Sequence, residues 1–246
     1  MTKKFPLFLV CTTLLISLVA NAQQKEHLSG FATLSLTYKF NPNWYVYGET
    51  QARSIAKFSE IDYYEIKGGG GYTFNKSHQA FIGLGRYASY TEHKISREEF
   101  RVWVQYVYSN YISRVKIEQR VRAEKRFFHD PVTDLNVNAE RYRYRMNVIV
   151  PLNKEKIEAK TLFASAYDEV FFISEEPKPA FSRNRLFGGL GYQVTNSLGV
   201  TLGYLWQRDF SVSKNTNTHF LFCGINFTLS HKDHKPSTTI VTPDAD

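Results

Sequence analysis

Between positions 114 and 126 every second residue is charged. Arg114, Lys116, Glu118, Arg120, Arg122, Glu124 and Arg126 alternate with Val115, Ile117, Val121 and Ala123, and Phe127 continues the apolar side. Gln119 and Lys125 are blemishes on that apolar side. Residues 140–151 repeat the device, with Arg141, Arg143, Arg145 and Asn147 opposing Tyr142, Tyr144, Met146, Val148 and Val150. Guanidinium groups at this density hold carboxylates or phosphates through forked, charge-assisted hydrogen bonds. Acids set among them turn such a row into an ion-pair network. A spacing of two belongs to a strand, whose successive side chains leave opposite faces. The chemistry is therefore confined to one face. Glu169 and Arg185 extend the set downstream. Glu124 falls opposite Arg141 or Arg143 in either neighbouring register of a hairpin, so pairing is expected there.

Other chemistry has little support. A hydrolase needs an activated serine beside an oriented histidine. His27, His78, His93, His129, His219, His231 and His234 include none that sits mid-strand on the charged face beside a serine. His231 and His234 are too few and too isolated to indicate a metal site. No catalytic residue, metal or cofactor is expected. The run Gly68 to Gly71 superficially resembles a phosphate loop. It lacks the following Lys-Ser/Thr and lies inside a strand pattern, so close backbone packing or a bend explains it better.

The elements that must position the charged rows are strands. Period-two alternation recurs at 32–40, 44–54, 61–74, 78–90, 100–108, 114–127, 140–151, 157–173, 183–194, 198–209 and 218–229. The facing of 78–90 stays open, because Arg86 disagrees with Ala80, Ile82 and Leu84. Tight turns at 41–43, 75–77, 110–111, 153–155 and 195–197 alternate with longer polar loops near 55–60, 91–98, 128–138, 174–182 and 210–217. Short turns at one end and longer loops at the other are the mark of an outer-membrane barrel. Bacterial single-chain barrels have even strand numbers. Eleven visible segments therefore predict about twelve strands, with a short first strand in 23–30 and both termini on the short-turn side; ten strands are the alternative.

Composition bounds the rest. The chain has 246 residues, 15% aromatic and 22% charged, too apolar and aromatic for a disordered chain. Lys3 and Lys4, an apolar stretch to Val19, and Ala20-Asn21-Ala22 read as a cleaved signal peptide, residues 1–22. Its removal leaves 224 residues with a net charge of +6, down from +8. Cys223 is then the lone cysteine, which excludes an intrachain disulfide. Beyond residue 22 no stretch reaches 18 apolar residues, which excludes a helical membrane protein. Residues 230–246 lack alternation and read as a disordered tail after a barrel spanning 23–229.

The expected fold is all-β: a single antiparallel transmembrane barrel in the outer membrane of a Gram-negative bacterium. Apolar faces would meet lipid and charged faces the lumen, and closure would pair every backbone group. A soluble barrel would reverse the faces, and strand pattern alone cannot separate the two. Trp44, Tyr45, Phe127, Phe128, Phe171, Phe172, Trp206 and Phe210 near strand ends would suit interfacial girdles. The lumen would then hold fourteen bases, including Lys39, Arg53, Lys67, Arg101 and Arg183, against Glu49, Glu65, Glu118, Glu124, Glu169 and Asp209. A structural ion-pair network filling a narrow lumen is the favoured reading, ahead of a narrow anion-preferring pore. A secreted ligand-binding barrel and a barrel-embedded lipid-modifying enzyme are the alternatives. Expected partners are outer-membrane lipids, the barrel-assembly machinery and small anions, and no nucleic acid.

A set of short motifs resembles one known family. These are Glu118-Gln119-Arg120, Arg141-Tyr142-Arg143-Tyr144-Arg145-Met146 followed by Pro151-Leu152, and Tyr167-Asp168-Glu169-Val170-Phe171. Asn184-Arg185-Leu186, Gly189-Leu190-Gly191-Tyr192, Gly203-Tyr204 with Gln207, and His219 follow. In order and spacing they are similar to the bacterial barrel family catalogued as domain of unknown function 2490, over most of residues 30–229. The resemblance implies an outer-membrane barrel and supplies no activity or catalytic residue. The tail after Leu229 departs from a pattern that ends near the last strand.

Overall fold

A computed structural model of the chain describes residues 28–55, 58–174, 180–211 and 215–231. The expected signal peptide, residues 1–22, and residues 232–246 of the expected tail lie outside the described residues. Eleven strands form among the described residues: β1 (Leu28–Lys39), β2 (Trp44–Ser54), β3 (Tyr63–Thr73), β4 (His78–Thr91), β5 (Lys94–Ile112) and β6 (Val115–Asp130). They continue as β7 (Leu135–Pro151), β8 (Thr161–Ile173), β9 (Ala180–Gln193), β10 (Leu198–Asp209) and β11 (Thr216–Ser230). Each pairs antiparallel with its neighbour in sequence, and β1 pairs with β11 to close a barrel.

The strand count corrects the sequence expectation of twelve. Leu28–Gly30, the end of the segment reserved for an extra strand, opens β1 instead. Ser29 continues the inward row of Phe31, Thr33, Ser35 and Thr37, so nothing breaks the strand there. With an odd number the first and last strands run the same way. The seam is accordingly parallel, in register from Leu28 opposite His219 to Lys39 opposite Ser230. The strand system therefore starts at one end of the barrel and finishes at the other, not with both termini on one side. Inside the seam Phe31 meets Phe220 and Phe222 edge-on, at 5.8 and 5.2 Å between centroids. Ser35 donates to Asn226 Oδ1 at 2.9 Å.

The two-ended loop pattern is also revised. Residues expected as loops at 91–98 and 128–138 are strand almost throughout. Glu92 and His93 make a two-residue turn with φ of 51° and 62°, the mirror-image turn that suits strand twist. Asp130 closes the next hairpin by accepting hydrogen bonds from the backbone of Val132 (2.8 Å) and Thr133 (3.1 Å). These bonds hold its carboxyl below the usual range. As a result β5, β6 and β7 reach 19, 16 and 17 residues and project beyond the other strands. Their tips carry mixed polar residues whose alternation is weak, which is why they read as loops.

Side chains alternate cleanly in and out. Ile66, Ile82, Leu84, Val104, Val121, Leu190 and Leu202 are all exposed on the outer face. The charged rows point inward. Strand β4, left open by sequence, places Phe81, Gly83, Gly85 and Tyr87 inside. Arg86 thus lies outside, where it bonds Glu98 of β5. The blemishes on β6 are answered on the same outer face: Lys125 pairs with Glu140 at 2.8 Å, and Gln119 accepts from the Tyr144 hydroxyl at 2.9 Å. Three of the expected girdle aromatics have the inward parity. Tyr45 and Phe171 share inward parity with Glu49 and Glu169, and Phe171 is fully buried. Phe128 shares the inward parity of β6 and sits beneath the Arg126 guanidinium, 4.5 Å from its ring centroid.

Candidate functional site: a charged plug above a basic vestibule

The hairpin β6–β7 builds the centre of the lumen. Its register sets Glu124 directly opposite Arg141, with Arg122 opposite Arg143 and Arg120 opposite Arg145. Glu124 is a hub. Arg141 Nε donates to it at 2.6 Å and Arg143 Nη1 at 3.0 Å, while Arg122 and Arg101 approach to 3.6 and 3.9 Å. Glu169, reaching in from β8, is the second hub. It accepts from Arg120 Nη2 at 2.6 Å and Arg143 Nε at 2.9 Å, and Arg185 of β9 stands opposite it in register. Arg143 bridges the two carboxylates. Arg185 in turn donates to Gln207 of β10 at 2.8 Å.

An aromatic ring organises the same layer. Phe171 has the guanidinium carbons of Arg143, Arg185 and Arg141 at 4.6, 5.0 and 5.3 Å from its centroid. The negative face of a ring attracts such cations, more strongly where water is excluded. Phe171 therefore offsets some of the crowding among arginines that two carboxylates alone must neutralise.

Two flanking clusters complete the plug. Glu65 of β3 accepts from Lys67 (2.6 Å), Tyr63 (2.8 Å) and Arg53 (3.2 Å), and Lys67 also meets Glu49 at 2.9 Å. Glu99 of β5 accepts from Arg101 (2.8 Å) and from Arg126 Nε and Nη2 (2.7 and 3.0 Å). Arg143, Arg185, Glu124, Glu169 and Glu65 are all buried to within a few per cent of zero exposure. An open channel would wet these lumen-facing groups. Beside the ions, Phe31, Tyr167, Phe187, Leu205, Phe220 and Phe222 pack together inside the barrel as an apolar cluster.

On the side of the turns that follow β1, β3, β5, β7 and β9, the lumen opens into a vestibule of about 1400 Å³. Arg120, Arg122 and Arg145 form its floor together with Trp103 and Gln105. Lys116 and Glu118 stand on its wall, bonded to each other at 2.7 Å. Arg122 donates twice to Gln105, at 3.0 and 2.7 Å. Arg114 lies in the β5–β6 turn at the mouth rather than in a strand. The lining holds eight Lys or Arg against two Glu, so the field inside favours anions.

The structure thus divides the residues singled out by sequence between two places. Glu124, Arg141, Arg143, Glu169 and Arg185 are in the plug; Arg114, Lys116, Glu118 and Arg145 line the vestibule; Arg120 and Arg122 belong to both. Sequence reasoning missed Glu99, because its strand was started at Phe100. The signal was present: Glu99 has the parity of Arg101 and Trp103. It also missed that inward aromatics share the lumen with the charges. Among the described residues no group of three or more metal-ligating side chains comes together, and no helix is long and apolar enough to cross a membrane.

Residues 29–218 match one family, described as a protein of unknown function (DUF2490). The chain belongs to the DUF2490 family. The matched segment contains the whole of β2 to β10 and every charged residue of the plug. No curated protein and no solved structure matches the chain. The functional reading of this DUF2490 barrel therefore rests on its own geometry.

Proposed function

We propose that the protein is an outer-membrane β-barrel of a Gram-negative bacterium that seals its own lumen, a structural surface barrel in preference to an open anion pore. One observation carries the reading: around the wall, apolar side chains face out and charged side chains face in. Ile66 is 61% exposed, Leu202 58% and Val121 50%, whereas Arg185 and Glu169 are at 0%. Water would disfavour so continuous an apolar surface, since soluble monomers rarely expose patches beyond a few hundred Å². Lipid is the solvent that suits it. Closure by β1 and β11 leaves no unpaired sheet edge, which hydrocarbon requires. The mid-strand outward carboxylate of Asp168 is answered by Asn184 Nδ2 at 2.5 Å. Trp44 and Phe172 on the outer face suit the interfacial belt.

Sealing follows from the plug. Long inward side chains converge in a barrel of eleven strands, between filled eight-stranded barrels and open sixteen-stranded porins. The reading assigns no catalytic step. Refolding the mature chain with and without detergent, followed by planar-bilayer recording, tests it. The expected result is a heat-modifiable, detergent-dependent monomer that is electrically silent. A folded monomer recovered in plain buffer would overturn the membrane reading. Steady conductance from the unmodified protein would overturn the seal and favour the narrow anion pore.

A further inference from the structure

We propose that the vestibule is a binding site for a small anion that carries a flat ring, such as an aryl phosphate or aryl carboxylate. The inference rests on the sealed-lumen reading, because a ligand held in a blind vestibule stays, whereas one in an open channel passes. Two adjoining walls of different chemistry carry it.

One wall is aromatic. Tyr45 of β2, Phe81 of β4 and Trp103 of β5 run across it, with Tyr45 and Phe81 stacked at 6.2 Å and Phe81 and Trp103 at 6.3 Å between centroids. Tyr47 meets Phe81 edge-on at 6.3 Å. These rings lie along the barrel wall because inward-facing glycines leave room. A Cβ on Gly71 would strike the Tyr45 ring, one on Gly83 the Trp103 ring, and one on Gly69 the Phe81 ring. This gives the glycine run of β3 a function: it lets rings settle flat against strands β3 and β4. Upright rings would fill the space, whereas flat rings line it. The result is an apolar platform beside the charged rows.

The adjoining wall, next round the barrel from β5, is cationic. Lys116, Arg120 and Arg145 come from β6 and β7, with Glu118 as the acid among them. Lys39 and Arg114 stand nearer the mouth. Arg120 is bonded to Glu169 and Arg122 lies 3.6 Å from Glu124 in the plug, and the other six bases lining the space still outnumber Glu118 and Glu155. A neutral ring would use one wall and an inorganic anion the other. Only a molecule with both a ring face and an anionic group uses the two together. The volume, about 1400 Å³, exceeds the ~300–1,000 Å³ of ordinary small-molecule pockets, so a single-ring ligand has room in it.

Calorimetric titration of the folded protein in detergent micelles tests the proposal with three probes: phenyl phosphate, inorganic phosphate and phenol. Phenyl phosphate is expected to bind at least tenfold more tightly than inorganic phosphate, and phenol to give no saturable heat. Lys116→Gln is expected to weaken phenyl phosphate several-fold. Tyr45→Leu is expected to reduce the advantage of phenyl phosphate over inorganic phosphate. Heat-modifiable mobility checks that each variant folds; if Tyr45→Leu does not, Phe81→Leu serves the same purpose. Equal affinity for phenyl phosphate and inorganic phosphate overturns the ring platform, and no saturable heat from any probe overturns the site. Bilayer silence is scored separately, so failure of the site and failure of the seal are distinguishable.

Discussion

Replacing Glu124 with Gln tests the plug at its most connected point. The carboxylate receives Arg141 at 2.6 Å and Arg143 at 3.0 Å, with Arg122 and Arg101 within 4 Å. At ~3 Å and an effective dielectric constant of ~20, each direct contact is worth about 5 kcal/mol before desolvation is subtracted. Removing one partner of a buried pair typically costs ~3–5 kcal/mol, because the other charge stays buried without it. Here several guanidiniums share the loss, so the upper part of that range is expected. The amide keeps the shape and can accept one hydrogen bond, so the change isolates charge from packing. Glu140→Gln is the internal control. That carboxylate pairs with Lys125 at 2.8 Å, but both side chains are nearly half exposed, and ~1 kcal/mol or less is expected. Urea unfolding in lipid vesicles measures both. The bilayer readout is independent: Glu124→Gln should open transient, anion-preferring conductance where the unmodified protein is silent. Equal, small losses for Glu124→Gln and Glu140→Gln would refute the plug as a coupled network. Cation preference in the Glu124→Gln channel would refute the electrostatic reading.

Two further outcomes follow from the faces of the wall. Val121→Arg, placing a charge on the outer surface, should cost roughly 2–4 kcal/mol in vesicles near mid-bilayer and exceed the cost of Arg122→Val, since Gln105 is neutral and Glu124 retains other partners; the reverse order in unfolding free energies would turn the barrel inside out. Gly71→Ala and Gly70→Ala are adjacent but should differ in sign: the first drives a methyl into the Tyr45 ring and should cost about 1–3 kcal/mol, while the second meets nothing within 4 Å and should be neutral or stabilising by up to about 1 kcal/mol. Matching destabilisation by both would contradict the flat-ring account of the vestibule.

The parts of this structure that a period of two controls were legible. The faces of β6 and β7 follow directly from their alternation, because a one-residue slip would put a row of arginines into the wrong solvent. The Glu124 pairing followed too, since both candidate registers present it with an arginine. What depended on more than alternation was misread. The projecting ends of β5, β6 and β7 carry weak patterning, as no buried face constrains them. Tyr45 and Phe171 look like girdle aromatics by type and position; only strand parity assigns them to the lumen. The parity argument for a twelfth strand assumed an antiparallel seam, and the in-register pairing of Ser29, Phe31 and Thr33 with Phe220, Phe222 and Gly224 makes a parallel one instead. The vestibule could not be read from any single strand. It arises where glycines on β3 and β4 meet rings from β2, β4 and β5, a juxtaposition that only the sheet order supplies.

The orientation of the wall in lipid is the central claim, and Cys223 reports on it directly. Its side chain is exposed on the outer face of β11, level with Ala32 of β1 and Leu202 of β10. A nitroxide attached to Cys223 in protein folded into lipid vesicles can be tested by electron paramagnetic resonance for collision with oxygen, which concentrates in hydrocarbon, and with a neutral water-soluble nickel chelate. The account gives high oxygen accessibility and low nickel accessibility. High nickel accessibility with low oxygen accessibility would place this face in water and contradict it.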